Sequence, residues 1–154
     1  MVDVVDKATR SRMMAGIGSK NTAPEMRLRR ALHARGLRYR LHARALRGKP
    51  DIVFPQFRAA LFVHGCFWHR HPGCPLATTP ATRPDFWKAK FEGNVSRDDA
   101  AVRALRQAGW RVGIVWECEM RRSADVSTTA AAVERWLREG ADIFDLEALD
   151  NDHD

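Results

Sequence analysis

Residues 63–74 combine three histidines, two cysteines and two large aromatic residues in the sequence Val-His-Gly-Cys-Phe-Trp-His-Arg-His-Pro-Gly-Cys. The apolar run of residues 59–62 comes directly before them and predicts a buried strand. Thiolate sulfur and imidazole nitrogen are ligands that zinc binds in proteins, and imidazole also transfers protons near neutral pH. A buried strand that leads into such a turn is typical of a site for metal binding and catalysis.

One zinc ion could be bound by the cysteines and a histidine of this turn. Cys66, His71 and Cys74 have suitable spacing for three ligands, and a structural zinc site needs four. The fourth is expected from Cys118, the only other cysteine, which closes a second apolar strand. Two alternatives stay open: the cysteines are simply buried small residues, or His69 is the ligand and His71 is free. Three cysteines without a secretory signal do not indicate a disulfide framework.

Helical and strand patterns alternate along the chain, which predicts an α/β fold with a mixed central sheet. At 154 residues, the chain is long enough for one domain. Thr22, Pro24 and Glu25 form a helix start of the capping-box type. In the strand that ends at residue 64, alternation places Phe62 and His64 on one face. Helices are predicted over residues 23–35, 86–108 and 124–139, and strands over residues 37–41, 51–54, 58–64 and 110–116.

The charge distribution favours a polyanionic partner. The chain carries 26 Lys and Arg against 19 Asp and Glu, and six of those acids lie in residues 141–154, which contain no Lys or Arg. The first 140 residues therefore hold 26 basic and 13 acidic side chains, a net charge of +13. Together with five tryptophans this excess favours nucleic acid, although a merely soluble basic surface would have the same composition.

Composition divides the chain into three regions. Residues 1–20 are expected to form a basic N-terminal arm that orders on a partner, residues 21–140 the folded domain, and residues 141–154 an acidic, solvated and mobile tail. No apolar segment approaches the length of a membrane span, and the N-terminus has no apolar signal region. We therefore expect a cytoplasmic protein without membrane association.

An acid and a histidine lie at neighbouring strand ends, as expected of a metal-dependent nuclease. Asp51 begins one strand after Pro50, and His64 ends the next. Such a pair could hold Mg²⁺ against a scissile phosphate, because Mg²⁺ needs only one or two carboxylates when phosphate oxygens and waters complete its octahedron. An aspartate after proline is also common in simple turns. His33 and His42 are interpreted as ordinary surface or edge residues.

Six motifs give the chain a resemblance to the very short patch repair endonuclease (Vsr) family. They run nearly collinearly from about residue 3 to residue 120, and beyond Arg121 the likeness is slight. The motifs are Asp6-Lys7-Ala8-Thr9-Arg10-Ser11, Gly48-Lys49-Pro50-Asp51, His64-Gly65-Cys66-Phe67-Trp68-His69, Pro80-Ala81-Thr82-Arg83, Asn94-Val95 with Arg97-Asp98, and Gly109-Trp110-Arg111-Val112 with Val115-Trp116-Glu117-Cys118.

The resemblance implies a restriction-endonuclease-like fold with a structural zinc, and a Mg²⁺-dependent nick in duplex DNA 5′ to the thymine of a T·G mispair. Such mispairs arise when 5-methylcytosine deaminates. By the resemblance, Asp51 is the Mg²⁺ carboxylate, His69 the base that activates water, and His64 a second imidazole near the phosphate. Glu25 resembles an acid that orients water around the metal, although capping alone would also explain it. Related nucleases usually have an acid-x-lysine pair at the positions that hold Phe62 and His64 here. This departure, with histidine in place of lysine, agrees with the Vsr family.

Large aromatic residues on the polar turn are expected to act as an apolar wedge, because wedges that unstack base pairs are used at weak or mismatched steps. Core packing is the alternative for each of them. The residues that resemble the family's DNA contacts are Phe67, Trp68 and Trp87 in the wedge, Lys90 and Asn94 on the same helix face as Trp87, and Met14 in the N-terminal arm.

Two other classes of function are compatible with the sequence: a zinc-stabilised DNA-binding module without catalysis, and a nuclease of the same fold that acts on other DNA structures. Asp51, His64 and His69 favour catalysis. The expected partner is double-stranded DNA with a T·G mispair, bound by a monomer. Mismatch-repair proteins and a cytosine-5 methyltransferase acting at the same sites are further candidate partners. On DNA the protein would be associated with the nucleoid.

Overall fold

The computed structural model describes residues 22–140 and the backbone of residues 143–144. The predicted N-terminal arm, with Met14, lies outside the described residues, as does the predicted acidic tail apart from residues 143–144. Among the helices that are described, none has both the length and the apolar character needed to cross a membrane.

Helix α1 spans Ala23–Ala34 and begins where the sequence predicts. Thr22 caps it, because its Oγ1 accepts a hydrogen bond from the backbone N–H of Glu25 at 3.4 Å. Leu28 and Leu32 lie one turn apart on the same face, and both are buried. The helix therefore packs by its apolar face.

Five strands form one mixed sheet: β1 (Arg40–Leu41), β2 (Ile52–Phe54), β3 (Ala59–His64), β4 (Arg111–Trp116) and β5 (Ile143–Phe144), in that spatial order. The β1–β2 and β2–β3 pairs are antiparallel, whereas the β3–β4 and β4–β5 pairs are parallel. The predicted α/β class and mixed sheet are confirmed. β5 is formed by two residues of the segment that was expected to be a mobile tail.

The two faces of the sheet are covered by different helices. Helix α2 (Pro84–Gln107) makes the crossover from β3 to β4, and its side chains pack with Phe62 and its neighbours. Helices α1 and α3 (Ser123–Glu139) pack on the other face, where Leu61 and Val115 lie in the larger core. Alternation along β3 therefore separates the two cores, as the sequence predicts.

A glycine allows the loop between β1 and β2 to lie against α2. Gly48 has a positive φ of +77°, and a Cβ there would come within 2.5 Å of the Cβ of Ala101. No other residue type fits that conformation and that gap together. The loop is closed by a hydrogen bond from the N–H of His42 to the carbonyl of Asp51 at 3.0 Å. The two ends of this loop are thus held beside each other.

Candidate functional site

Parallel pairing of β3 and β4 brings three cysteines and one histidine into one cluster. His64 and Trp116 are partners in the parallel register, and Cys66 and Cys118 each follow two residues later. The ligand atoms of Cys66, His71, Cys74 and Cys118 all lie within 4.8 Å of one another. The structure therefore gathers the four residues that the sequence proposed as zinc ligands.

The dimensions of this cluster fit a tetrahedral metal ion. The Sγ atoms of Cys118 and Cys66 lie 3.5 Å and 3.7 Å from Nδ1 of His71. With zinc–sulfur and zinc–nitrogen bonds of ordinary length, the edge of the tetrahedron between S and N is about 3.6 Å. Burial raises the pKa of Cys66 to about 11 and also raises the pKa of Cys118 above its ordinary value. A cation among these thiols would oppose that effect by favouring thiolate.

Of the two histidines that spacing left open, the structure places His71 in the cluster. Its ring is buried and stacks on Trp116, with ring centroids 4.3 Å apart. The ring of His69 instead turns to α2, where its Nδ1 lies 2.6 Å from Oδ2 of Asp98. The backbone N–H of Cys66 donates to Oε1 of Glu117 at 3.0 Å, which fixes the start of the turn.

The second group of polar side chains is a pair of stacked imidazoles. The rings of His64 and His69 are parallel within 6°, with centroids 3.9 Å apart. Lone pairs in two parallel rings lie in separate planes and do not converge on one ion, so these rings with Asp98 suit proton transfer better than metal binding. Burial lowers the pKa of His64 to about 3, which keeps it neutral. Its Nδ1 has no hydrogen-bond partner among the described residues.

Asp98 is a residue of this site that the sequence analysis did not assign to a role. It stands in one of the motifs quoted for the family resemblance, four residues after Asn94, which places both on one face of α2. Asn94 Nδ2 donates to the carbonyl of Trp68 at 3.0 Å. Both α2 side chains therefore hold the turn that carries His69, and the helical spacing from Asn94 was the available signal.

Arg70 also fixes the turn onto α2. Its guanidinium lies over the ring of Phe91 at 4.0 Å. The same group donates to the carbonyl oxygens of Ala77 and Thr78, at 3.2 Å and 2.8 Å. These contacts connect the turn to the segment before α2, so that the neighbouring His69 is held from both sides.

The third group lies beyond the ends of β1 and β2 and contains Glu25, His42 and Asp51. Oδ2 of Asp51 accepts a hydrogen bond from the N–H of Val63 at 2.8 Å, which places the carboxylate against the end of β3. Glu25 is 1% exposed and accepts from Nη1 of Arg29 at 3.1 Å. Burial raises the pKa of Asp51 to about 7, and the nearby charge of Glu25 acts in the same direction. Two carboxylates in this setting favour a cation between them.

His42 follows the edge strand β1, as the sequence interpretation of an edge residue allows, but its contacts are not those of an ordinary surface histidine. Its Nε2 lies 3.2 Å and 3.1 Å from the two carboxylate oxygens of Glu25, and the ring is half-buried. The backbone of His42 has a positive φ of +47°, a left-handed conformation that directs the chain out of β1. Such a conformation cannot be recognised from a single histidine in a sequence.

The raised pKa of Asp51 predicts that Asp51→Asn stabilises the protein at alkaline pH when no divalent ion is added. Between pH 3.8 and about 7 the folded protein keeps a proton that the unfolded chain releases, so the contribution of Asp51 to the free energy of unfolding falls as the pH rises. Asparagine stays neutral and can still accept from Val63. Thermal unfolding should show an advantage for Asp51→Asn at pH 8 that shrinks toward pH 5. The exposed residue Asp99 gives the control Asp99→Asn, and an advantage that is independent of pH would contradict the prediction.

The predicted wedge residues form part of an aromatic cluster on the surface. Phe67 lies between Trp68 and Phe91, with ring centroids 4.9 Å and 5.2 Å away, and Trp87 stacks on Phe91 at 5.6 Å. Phe67, Trp68 and Trp87 are half-buried. Lys90 is exposed on α2 beside this cluster. The three aromatic residues are therefore supported from one side and open to solvent on the other.

Comparisons with known proteins assign this chain to a class of protein. A family model described as DNA mismatch endonuclease Vsr matches residues 2–74. The chain is 44% identical over 139 residues to the DNA mismatch endonuclease Vsr of Escherichia coli strain K12, which covers 89% of this chain and 88% of that protein. It is 48% identical over 120 residues to the Type II nicking enzyme V.XorIIP of Xanthomonas oryzae pv. oryzae, covering 78% of this chain and 88% of the relative.

A third relative, the Type II nicking enzyme V.NmeAIP of Neisseria meningitidis, is 39% identical over 124 residues, with 80% of this chain and 88% of the relative covered. With a mixed α/β sheet and a polar site at its strand ends, these similarities define a DNA endonuclease. The chain belongs to the DNA mismatch endonuclease Vsr family. The family resemblance expected from the sequence is thus confirmed.

Proposed function

We propose that this protein nicks duplex DNA 5′ to the thymine of a T·G mispair, in a reaction that depends on Mg²⁺. The observation that carries this proposal is the arrangement at the end of β3. Val63 donates to the carboxylate of Asp51, and the next residue, His64, stacks on His69. A carboxylate group and an imidazole group thus both lie at the end of β3, where a phosphate could meet both. The name of the Escherichia coli relative supports mismatched DNA as the substrate.

Asp51, supported by Glu25, is proposed to hold Mg²⁺. Burial and the charge of Glu25 raise the pKa of Asp51 to about 7, so the pair fits a divalent cation that would relieve their repulsion. When bound, Mg²⁺ would neutralise charge on the scissile phosphate. Val63 keeps Asp51 in place through its backbone N–H, and Arg29 does the same for Glu25 through its side chain.

His69 is proposed to take the proton from the attacking water. With its proton on Nδ1, it donates to Asp98, which leaves the Nε2 lone pair free to act as the base. Asp98 is a positioning residue, because it selects this tautomer and later stabilises the charged ring. Neutral His64 stacks against the ring of His69 and limits its rotation.

Zinc is proposed as the structural metal of the Cys66, His71, Cys74 and Cys118 cluster, with a restriction-endonuclease-like arrangement of the sheet around it. The S–N distances fit a tetrahedral ion, and three thiols with one imidazole are a typical set of structural zinc ligands. Such a site has no open position for water. Its contribution is to fix the turn, and therefore the positions of His69 and the aromatic residues.

The aromatic cluster is proposed to read the mispair as a wedge of Phe67, Trp68 and Trp87. T·G pairs stack and pair less strongly than matched pairs, so an inserted aromatic ring separates them at lower cost. Exposed Lys90 would contact the DNA beside the wedge. Asn94 already supports the turn through the Trp68 carbonyl, and Met14 would contribute from the N-terminal arm.

The wedge proposal predicts that Trp68→Ala folds but binds T·G duplex more weakly. Loss of one base–aromatic contact costs about 1–3 kcal/mol, or roughly 5- to 150-fold in affinity. Fluorescence anisotropy in Ca²⁺ would measure this loss of affinity. Trp110→Ala is the control, since Trp110 is also half-buried but directly precedes β4, at the opposite end of that strand from the turn that carries Trp68. If Trp68→Ala melted early while its folded fraction bound normally, the side chain would be part of the core.

The proposed function is tested by nicking of labelled duplexes that contain a T·G mispair or a matched T·A pair at one position. Wild type should nick the T·G strand 5′ to the thymine in Mg²⁺ and should be inactive when Mg²⁺ is omitted. The Asp51→Ala variant should be inactive even in Mg²⁺. Equal nicking of both duplexes would show a nuclease with another target. Tight binding of the T·G duplex without any nicking would show a DNA-binding module instead.

A further inference from the structure

We propose that His42 is an imidazole ligand of the divalent ion at the Glu25 and Asp51 site, which gives this site a stronger preference for Mn²⁺ over Mg²⁺ than carboxylates alone would give. The inference rests on the proposed function, because that function places a divalent ion between the two carboxylates. No role in the motifs quoted above falls on His42, so the proposal comes from its contacts.

The position of the ring nitrogen fits a metal ligand. Nε2 of His42 lies 3.2 Å and 3.1 Å from the two oxygens of Glu25. In an octahedral site with metal–ligand distances of about 2.1 Å, neighbouring ligand atoms are about 3.0 Å apart. The three residues also offer ligand atoms that all lie within 4.8 Å of one another. A small shift would therefore place all three around one ion.

When DNA is bound, the formal charges of the group would match those of one divalent ion. Glu25 and Asp51 carry two negative charges, Arg29 supplies one positive charge at 3.1 Å, and the scissile phosphate would add one negative charge. The net charge of the group is then −2, and one divalent ion would neutralise it. Neutral imidazole is also the form of histidine that binds metals.

The backbone holds His42 in place for this role. Its N–H donates to the carbonyl of Asp51 at 3.0 Å, so two of the three ligands are connected through the main chain. Gly48 presses the intervening loop against Ala101. A non-glycine residue with a positive φ is uncommon, and such conformations occur at functional sites. His42 therefore lies on a constrained loop rather than on a free edge.

The identity of the third ligand affects which metal is preferred. Carboxylate and water oxygens suit Mg²⁺, whereas imidazole suits first-row transition metals. Removing the imidazole should therefore weaken the binding of Mn²⁺ more than that of Mg²⁺. A role limited to hydrogen bonding with Glu25 would change both affinities equally, or neither.

The test measures metal binding to zinc-loaded protein without DNA. Free Mn²⁺ is followed by its electron paramagnetic resonance signal, and Mg²⁺ affinity by competition, for wild type, His42→Gln and the control His33→Gln. Glutamine keeps an N–H donor for Glu25, and His33 is an exposed histidine of α1. We expect His42→Gln to weaken Mn²⁺ binding about tenfold or more, with a smaller change for Mg²⁺. Pulsed measurements should show ¹⁴N coupling to Mn²⁺ in wild type and His33→Gln, and its loss in His42→Gln.

Unchanged Mn²⁺ affinity in His42→Gln, or retained ¹⁴N coupling, would overturn the assignment. Mn²⁺ binding that Asp51→Ala leaves unchanged would do the same, because the ion would then lie elsewhere. Nicking assays separate this result from the proposed function. If wild type nicked the T·G duplex in Mg²⁺ and His42→Gln bound Mn²⁺ with unchanged affinity, the ligand assignment would be wrong and the proposed function would stand. Lost ¹⁴N coupling in a protein that never nicks would support the ligand and reject the function.

Discussion

Replacement of Cys118 by serine is expected to release the metal and to remove most of the soluble protein. Cys118 is the one proposed ligand of the cluster that follows β4, in the short 3-10 helix Glu117–Met120, and its Sγ lies 3.5 Å from Nδ1 of His71. Serine offers a poor zinc ligand, and the remaining buried thiols would lose the cation that balances them. Structural zinc commonly supplies about 10–16 kcal/mol of binding free energy to small domains, which is comparable to the whole free energy of unfolding of an ordinary domain, about 5–15 kcal/mol.

The measurements are zinc content by mass spectrometry and thermal unfolding by circular dichroism. Wild type purified without chelator should hold one zinc per chain, and Cys118→Ser should hold far less and unfold at a lower temperature. His69→Ala is the control, because His69 lies beside the cluster without entering it. Full retention of zinc and of the folded state in Cys118→Ser would show that the site does not need four ligands.

The second large effect is expected for His69→Ala, which should fold, keep its zinc and bind DNA, but nick slowly. Loss of a general base reduces rates by about 10²–10⁴-fold. The single-turnover rate on a T·G duplex should therefore fall by this factor at neutral pH. Part of the activity should return as the pH rises, because hydroxide then replaces the assisted water.

His33→Ala is the matched control for this series, since His33 is exposed on α1. Its rates should follow those of wild type at every pH. A wild-type rate for His69→Ala at neutral pH would show that another group takes the proton. Loss of zinc along with activity would show that His69 supports the metal cluster instead.

The elements and the four-residue cluster could be predicted from the sequence because both depend on local patterns. Thr22 and Pro24 define the start of α1, and the two apolar runs before Cys66 and Cys118 define β3 and β4. Once two buried strands are parallel neighbours, their ends lie together. The pairing of Cys66 with Cys118 therefore followed from strand positions, without any knowledge of the helices.

Contacts that depend on how distant segments pack could not be predicted in this way. His42 meets Glu25 across 17 residues, and His69 meets Asp98 across 29. Both contacts need the positions of a loop and a helix on the sheet, which no local pattern gives. The exposure of Trp68 and Trp87 has the same origin, because it depends on where α2 lies beside the turn.

The proposed metal ligands follow the ends of both β3 and β4, which has a consequence for the order of folding. Cys66, His71 and Cys74 are close in the chain and can meet one metal ion before any sheet forms, whereas His71 and Cys118 are separated by 47 residues. Bringing that distant thiol into place closes a loop that contains all of α2. The entropic cost of closing a loop rises only slowly with its length, so this step is possible but comes after the local ligands have met the ion. We therefore expect the metal to bind first to the local ligands and to become tightly held only when β4 docks. Release of the ion and separation of the two strands should then be one cooperative event.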